Sequence, residues 1–161
     1  MSGSSAAAAN LLSMAPIWTG HSSIGTERMS RRRFWRRFGR LEHERLEFKR
    51  STASLQESVV GMSMNSGGVI LVGVTDDRQL TGCRLDQVAF DRIAFVAHET
   101  AVPVKVQMLD IGGTPVIKIA VPAVGDRVVT TSDGRILRRL GSANQPLRGD
   151  AVTRFVRERL G

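Results

Sequence analysis

The chain has 161 residues, of which 42% are hydrophobic, and this length suits one domain with a moderate core better than two domains. The formal net charge of +8 comes from 23 Lys and Arg residues against 15 Asp and Glu residues, so polyanions are the expected partners, nucleic acid ahead of an anionic membrane. Cys83 is the single cysteine, which excludes an internal disulfide and a cysteine-based zinc site and fits a cytoplasmic location. No run of about 18 apolar residues occurs, so a membrane-spanning helix is excluded.

Residues 1–30 are rich in Ser, Ala and Gly and show no sustained hydrophobic periodicity. Such a composition predicts a disordered tail. An Ala- and Ser-rich stretch that leads into arginines is also typical of a mitochondrial transit peptide, which would place the protein in the mitochondrial matrix. Under either interpretation residues 1–30 lie outside the folded domain.

Residues 31–41 predict a basic amphipathic helix. Phe34, Trp35, Phe38 and Leu41 fall near one face, and arginines cover the rest. These arginines are Arg31, Arg32, Arg33, Arg36, Arg37 and Arg40. The helix could follow nucleic-acid phosphates, with Trp35 or Phe34 stacking on bases, or it could dock on the domain with its arginine face in solvent. The pattern is compatible with both arrangements.

Residues 42–161 predict the folded domain, because strand and helix patterns follow one another along them. The predicted elements are a strand at 45–49, a helix at 54–64 with a capping box, a strand at 69–72, a helix at 86–98, strands at 104–108 and 116–121, a short edge strand at 127–130, a strand at 135–139 and a helix at about 150–159. The first three form a β-α-β unit, and a Gly-Gly turn makes a hairpin in the middle of the domain. The predicted fold class is α+β, a single two-layer domain with a mixed β-sheet in the order β-α-β-α-β-β-(β)-β-α.

Acidic residues and a lysine lie close to a glycine turn in this pattern. The strand at 45–49 alternates, so Glu47 and Lys49 share one face. Asn65-Ser66-Gly67-Gly68 ends the next helix, and the buried strand that follows runs into Asp76. A few acidic residues among so many arginines predict a site that meets phosphate. Such a site either binds a nucleic-acid backbone or, with a metal ion, cleaves it.

Five short motifs follow one another along the chain. They are Glu-Phe-Lys at 47–49, Asn-Ser-Gly-Gly at 65–68, Gly-Val-Thr-Asp-Asp at 73–77, Leu-Thr-Gly at 80–82 and Ile-Leu-Arg-Arg-Leu-Gly-Ser-Ala-Asn at 136–144. In this order they resemble the Schlafen AlbA-like domain, over roughly residues 41–160. One departure lies at 62–66, where the family usually has Ala-Phe-Ala-Asn-Thr and this chain has Met-Ser-Met-Asn-Ser. The asparagine and both glycines are retained, so the turn is expected to be intact.

The resemblance implies either of two functions. Bacterial members of the family are similar to DNA-binding modules, often attached to transcriptional regulators, whereas animal Schlafens include endoribonucleases that act on transfer and ribosomal RNA. In the nuclease members two glutamates five residues apart precede Phe-Lys, and an aspartate follows Gly-Val. Those positions here are Glu42, Glu47 and Asp76, and Lys49 stands where the enzymes keep a lysine. In a nuclease the three carboxylates would hold Mg²⁺ or Mn²⁺, and Lys49 would hold the scissile phosphate.

Each acid also has a structural interpretation. Glu42 would be a solvated charge, Glu47 would pair with Lys49 or with an arginine, and Asp76 would form a turn. The longer Schlafens resemble two such lobes side by side, so the resemblance also implies a homodimer as an alternative to a monomer.

Nucleic-acid binding alone needs a basic groove that follows phosphates with little base readout. Besides the arginines of residues 31–41, the predicted contacts are Lys49, Arg138, Arg139, Ser142 and Asn144. Arg138 and Arg139 are neighbours on a strand, so only one of them is expected to face a ligand. Ser142 and Asn144 equally suit an ordinary turn.

We predict that the chain binds DNA or RNA through the backbone and has a role in transcription regulation. A metal-dependent endoribonuclease of the Schlafen type is the first alternative. An interaction or assembly module that binds an acidic protein partner is the second.

Overall fold

A mixed five-stranded sheet organises the computed structural model, which describes residues 24–161. The strands are β1 (Thr26–Met29), β2 (Leu46–Lys49), β3 (Gly68–Val72), β4 (Lys105–Ile111), β5 (Thr114–Val121), β6 (Leu137–Leu140) and β7 (Ala143–Pro146). The helices are α1 (Arg31–Phe38), α2 (Gln56–Ser63), α3 (Gln87–Thr100) and α4 (Asp150–Leu160). The sheet order is β1-β4-β5-β3-β2, and β6 with β7 forms a separate hairpin. The predicted α+β class with one small domain is confirmed.

The first half of the sheet is built as the periodicity predicted. β2 and β3 are parallel and are connected through α2, with Glu47 opposite Ile70. β4 and β5 are antiparallel and turn at Gly112 and Gly113. β5 also pairs with β3, which leaves β2 at one edge of the sheet and β1 at the other. The edge position of β2 matters below, because the predicted acids lie on and beside it.

Each face of the sheet carries its own hydrophobic cluster, since alternate residues of a strand point to opposite faces. Ile70 and Ile117 belong to the cluster that packs under α2 and α3. Leu71 and Leu109 belong to the opposite cluster, which contains Phe34 of α1. Both faces are therefore covered by helices, and Glu47 and Lys49 lie on the face of α2 and α3.

α1 is docked on the sheet with its arginines outside. Ser30 caps its first turn by accepting the N–H of Arg33 at 3.2 Å, and Phe34 is fully buried. Arg37 Nη1 lies 3.0 Å from Glu27 Oε1, and this hydrogen-bonded pair lowers the pKa of the Glu27 carboxyl. The docked arrangement is confirmed, and stacking of Phe34 on bases is excluded by its burial.

The predicted glycine turn at residues 65–68 is present, and each glycine has its own reason. Gly67 has a φ of 72°, in the left-handed region that glycine adopts without strain. A Cβ on Gly68 would lie 2.6 Å from the carbonyl oxygen of Arg45. Only glycine therefore allows β3 to start this close to the entry of β2.

Several local predictions differ from the structure. No strand forms at 127–130, where the N–H of Val129 instead donates to Met64 Sδ at 3.1 Å. β7 lies where a loop was predicted, because Gly141 and Ser142 form a tight turn after β6. α2 begins after Leu55 without a side-chain cap, so the predicted capping box is absent.

The expected tail is only partly covered by the structure. Residues 1–23, and with them most of the predicted tail or transit peptide, lie outside the described residues. Thr26–Met29 were predicted to belong to the tail, but they form a strand that pairs in parallel with β4 and buries Met29. From residue 24 onward, none of the helices has the length and apolar character needed to cross a membrane.

Candidate nucleic-acid interface

A cleft of about 610 Å³ lies beside the edge strand β2. Its walls come from β2, from the turn that follows β2 and from the loop after β3. The lining residues are Glu42, Glu47, Phe48, Lys49, Arg50, Ser51, Ser54, Thr75, Asp76 and Asp77. The cleft therefore brings together the three predicted acids and the predicted lysine.

Glu42 covers the open edge of the sheet. Its Oε1 accepts the N–H of Phe48 at 2.8 Å. Because β2 has no neighbouring strand on that side, this N–H would otherwise lack a partner within the sheet. Glu42 is thus held against β2, and the alternative prediction of a solvated surface charge is wrong.

Glu47 is the most enclosed acid of the cleft, with 8% of its surface exposed. Its Oε1 lies 3.7 Å from Lys49 Nζ, and its Oε2 lies 3.6 Å from Arg139 Nη1. Both distances suit an ion pair but exceed an ordinary hydrogen bond, and Oε2 is buried without a hydrogen-bond partner. The predicted pairing with Lys49 or an arginine is confirmed with both.

Asp76 is exposed at the tip of a tight loop between Thr75 and Gln79. The Thr75 hydroxyl donates to the Asp77 carboxylate and accepts the N–H of Gln79 at 3.0 Å. Arg78 at the same tip donates from Nε to the carbonyl of Arg40. The loop is therefore closed from inside and tied to the chain just after α1, and Asp76 itself is left facing the cleft.

The carboxylates share a cleft without forming a ready-made metal site. In the part of the chain from residue 24 on, no three Asp, Glu, His or Cys side chains stand close enough to hold an ion. Glu42 is bonded to β2, Glu47 is paired with two cations, and Asp76 stands on the far wall. As arranged, the three acids do not fit Mg²⁺ or Mn²⁺, which need several oxygen ligands around one point.

Arg139 is a buried structural residue, which corrects its predicted role as a nucleic-acid contact. Its side chain is 0% exposed. It donates to the backbone carbonyls of Glu44 at 2.8 Å and His43 at 3.0 Å, and to Asn144 Oδ1 at 3.0 Å. The guanidinium thus holds the entry of β2 to the β6–β7 hairpin. As the alternation on the strand predicted, its neighbour Arg138 faces solvent instead.

Asn144 accepts a hydrogen bond from Arg139 and is half-buried, and it also lines a cavity described below, so its contact with nucleic acid stays a prediction. It lies against Gly61 of α2, and a Cβ at that position would collide with Asn144 Oδ1. The glycine inside α2 therefore allows the hairpin to approach the helix. Ser142 is exposed at the hairpin turn and stays available.

The arginines of α1 form an exposed basic face. Arg40 lies over the Trp35 ring at 4.9 Å, and Arg37 is paired with Glu27. The remaining arginines of the helix have no ion pair to an acid among residues 24–161, and they are Arg31, Arg32, Arg33 and Arg36. We call these four residues the arginine face.

Some residues of this region carry no recognisable signal in the sequence. The tie from Arg78 to Arg40 and the bonds from Arg139 to residues 43–46 join parts of the chain that are far apart. Only the alternation around Arg139 indicated that one of two arginines turns inward. The Thr-x-Asp pattern at 75–77 is the one local signal, since such side chains close short loops on themselves.

Comparison with known proteins places this fold in a family. Among solved structures, the chain is similar to the crystal structure of the DIP2311 protein from Corynebacterium diphtheriae, with a TM-score of 0.57 and 20% identity. The match covers 73% of this chain but 28% of that one, so the chain spans little more than a quarter of its length. No curated protein matches. The profile of the family described as Schlafen, AlbA_2 matches residues 42–148, which include both walls of the cleft and the β6–β7 hairpin, and the chain therefore belongs to the Schlafen AlbA_2 family.

Proposed function

We propose that this protein binds nucleic acid through its phosphate backbone. The observation that carries the proposal is α1, which is anchored by the buried Phe34 while four exposed arginines, which make no ion pair with a described acid, project from it. A helix fixed in this way holds the backbone positions of its charges, so that only the arginine side chains remain to be ordered when a polyanion binds. Family membership supports a function related to nucleic acid.

Backbone contact suits this surface better than base readout. Phe34 is fully buried, and Trp35 is covered by Arg40 on one side and Phe48 on another. The arginine face therefore offers charge and hydrogen-bond donors but no open aromatic ring, and phosphates are the groups that such a surface contacts.

The proposed path of the strand runs from the arginine face, over one face of the sheet, around the β2 edge to the cleft. α1 ends at Phe38, Glu42 follows it on the cleft wall, and Arg78 ties the opposite wall to Arg40. Lys49 supplies a half-buried cation inside the cleft. On the proposed path, a strand that lies along the arginine face turns around the β2 edge to reach Lys49 on the other face of the sheet.

We expect neutralisation of the arginine face to reduce the salt dependence of binding. With Arg31, Arg32, Arg33 and Arg36 changed to glutamine, the slope of log K against log salt should fall by roughly 0.9 for each phosphate of duplex DNA that the variant no longer neutralises. Fluorescence anisotropy over a salt series, with labelled DNA and RNA, measures both the affinity and the slope.

A matched control carries the same change in net charge at exposed positions elsewhere. It changes Arg84, Lys105, Arg154 and Arg157 to glutamine. The proposal predicts a slope close to wild type for this control. Equal weakening by the two variants would mean that the dispersed charge attracts nucleic acid, and failure of the wild type to bind at low salt would favour an acidic protein partner instead.

A metal-dependent endoribonuclease is the second candidate. It is favoured by the meeting of Glu42, Glu47, Asp76 and Lys49 in one cleft. A bound Mg²⁺ or Mn²⁺ would supply an activated water and offset negative charge on the phosphate. Because these acids do not surround one point, the candidate requires Glu42 to leave the N–H of Phe48 when an ion binds.

Manganese-dependent cleavage of structured RNA separates the two candidates. If the protein is a nuclease, the wild type is expected to cut the RNA, and the variant Asp76→Asn is expected to lose this activity. Asp76 is exposed, so the change should cost little stability. Glu158→Gln on α4 is the matched control and should keep the activity. RNA that stays whole with the wild type but is shifted in a gel would leave binding as the function.

A further inference from the structure

A second and larger cavity opens beside the cleft. Its volume is about 880 Å³, and it lies between the 3-10 turn Thr52–Ser54, the first turn of α2, the exposed side of α3 and the loop that contains Ser132 and Arg135. Lys49 and Ser54 line both cavities. We call the larger one the side pocket.

Ser58 gives the side pocket an unused polar group. The residue is fully buried in the first turn of α2, and its Oγ has no hydrogen-bond partner. Buried hydroxyls nearly always have a partner, because an unpaired one loses its hydration without compensation. The first turn of α2 also lacks a side-chain cap. A ligand with polar atoms in the pocket would give the Ser58 hydroxyl the partner that it lacks within the protein.

Phe95 gives the same pocket an open aromatic ring. This residue of α3 is 46% exposed although it is large and apolar, and it lines the pocket together with Leu55 and Val96. Pockets for small planar ligands typically combine such apolar walls with few polar groups and have volumes of roughly 300–1,000 Å³. The side pocket matches that description in size, and Phe95, Leu55 and Val96 give it an apolar wall among mostly polar lining residues.

The charges around the pocket favour an anionic ligand. Its two acids are already engaged, since Glu57 pairs with Arg135 at 2.8 Å and Asp91 accepts the Gln87 amide at 2.7 Å. Arg92 makes a single long contact of 3.5 Å to the Thr52 hydroxyl. Lys49 adds a cation at the border with the cleft. Of these two cations, Arg92 makes no ion pair with a described acid, whereas Lys49 is shared with Glu47.

We propose that the side pocket binds one nucleobase of the strand whose phosphates lie in the cleft. Phe95 stacks on the base, Ser58 Oγ hydrogen-bonds to its polar edge, and Lys49 contacts the phosphate that joins this nucleotide to the next. The inference rests on the proposed function, because it names the part of the nucleic acid that the same region recognises. It requires a single-stranded or unpaired nucleotide, since a base inside a duplex cannot enter a pocket.

Phe95→Ala tests the stacking contact on the full chain with a short single-stranded oligonucleotide. The variant should bind roughly 5- to 100-fold more weakly, with an unchanged salt slope, because stacking releases no counterions. Val88→Ala is the matched control, as Val88 is also exposed on α3 but does not line the pocket. It should bind like the wild type.

An abasic nucleotide tests the ligand side of the same contact. The abasic nucleotide is moved stepwise along the oligonucleotide. At one position it should weaken binding by the wild type. At that same position it should change binding by Phe95→Ala very little, because this variant has already lost the stacking contact. Ser58→Ala should also weaken binding while raising the melting temperature of the free protein, because it removes an unpaired buried hydroxyl.

The outcomes separate this inference from the proposed function. If the wild type binds the oligonucleotide but Phe95→Ala matches Val88→Ala and no abasic position weakens binding, the side pocket is not a base site and backbone binding stands. If the wild type binds duplex DNA or RNA but no single-stranded oligonucleotide, the base site fails and backbone binding stands; if it binds neither, both proposals fail.

Discussion

Replacement of Arg139 by alanine is expected to lower the free energy of unfolding by roughly 3–5 kcal/mol, the range for removal of one partner from a buried ion pair. Glu47 would keep its buried carboxylate with Lys49 as its remaining counterion. The carbonyl of Glu44 would lose its Arg139 donor as well, and the carbonyl of His43 would keep only the N–H of Leu46. Urea unfolding followed by circular dichroism measures the change.

The neighbouring residue provides the control for this experiment. Arg138→Ala changes an exposed arginine on the same strand and should alter stability by no more than about 0.5 kcal/mol. Adding Glu47→Gln to Arg139→Ala should recover part of the stability, because a neutral amide costs less to bury than a carboxylate. Equal stability of the Arg139 and Arg138 variants would contradict the structural role of Arg139.

Phe34→Ala should have a stability effect of similar size, roughly 3–5 kcal/mol, since it empties a fully buried aromatic site between α1 and the sheet. The same variant should weaken nucleic-acid binding, because the arginine face is mounted on the helix that Phe34 anchors. Thermal unfolding and anisotropy on the same samples measure the two effects, with binding tested below the melting temperature.

Leu41→Ala is the matched control for Phe34→Ala. Leu41 is 66% exposed beyond the end of α1, so its truncation should cost little stability. If Phe34→Ala unfolds like the wild type, α1 is not docked in solution, and the rigid presentation of its arginines is wrong.

The sequence predicted well those elements whose hydrophobic residues recur with the period of a helix or a strand. α1, the β2-α2-β3 unit and the β4–β5 hairpin each have a hydrophobic pattern and a turn or glycine signal of their own. The strand predicted at 127–130 failed because an apolar pattern does not show whether a neighbouring strand is available. β1 was missed for the converse reason, since its partner β4 lies about eighty residues away in the chain.

The same distinction applies to the candidate site. The shared face of Glu47 and Lys49 follows from strand geometry, and their meeting with Glu42 and Asp76 in one cleft was an expectation from the family. The burial of Arg139 on Glu47 and the side pocket around Ser58 and Phe95 depend on tertiary packing. No local spacing encodes these contacts, so they required the structure.

The bond from Arg139 to Glu44 spans 95 residues and has a consequence for the order in which the molecule matures. While the chain is being synthesised, β2 emerges long before its arginine, and contacts of such long separation form late because closing a long loop is costly in entropy. Glu47 therefore lacks one of its two counterions until residue 139 has left the ribosome. The ion pair of the cleft's buried acid with Arg139 is therefore among the last contacts of this domain to form, so the cleft is completed only after the sheet around β2 and β3 has assembled.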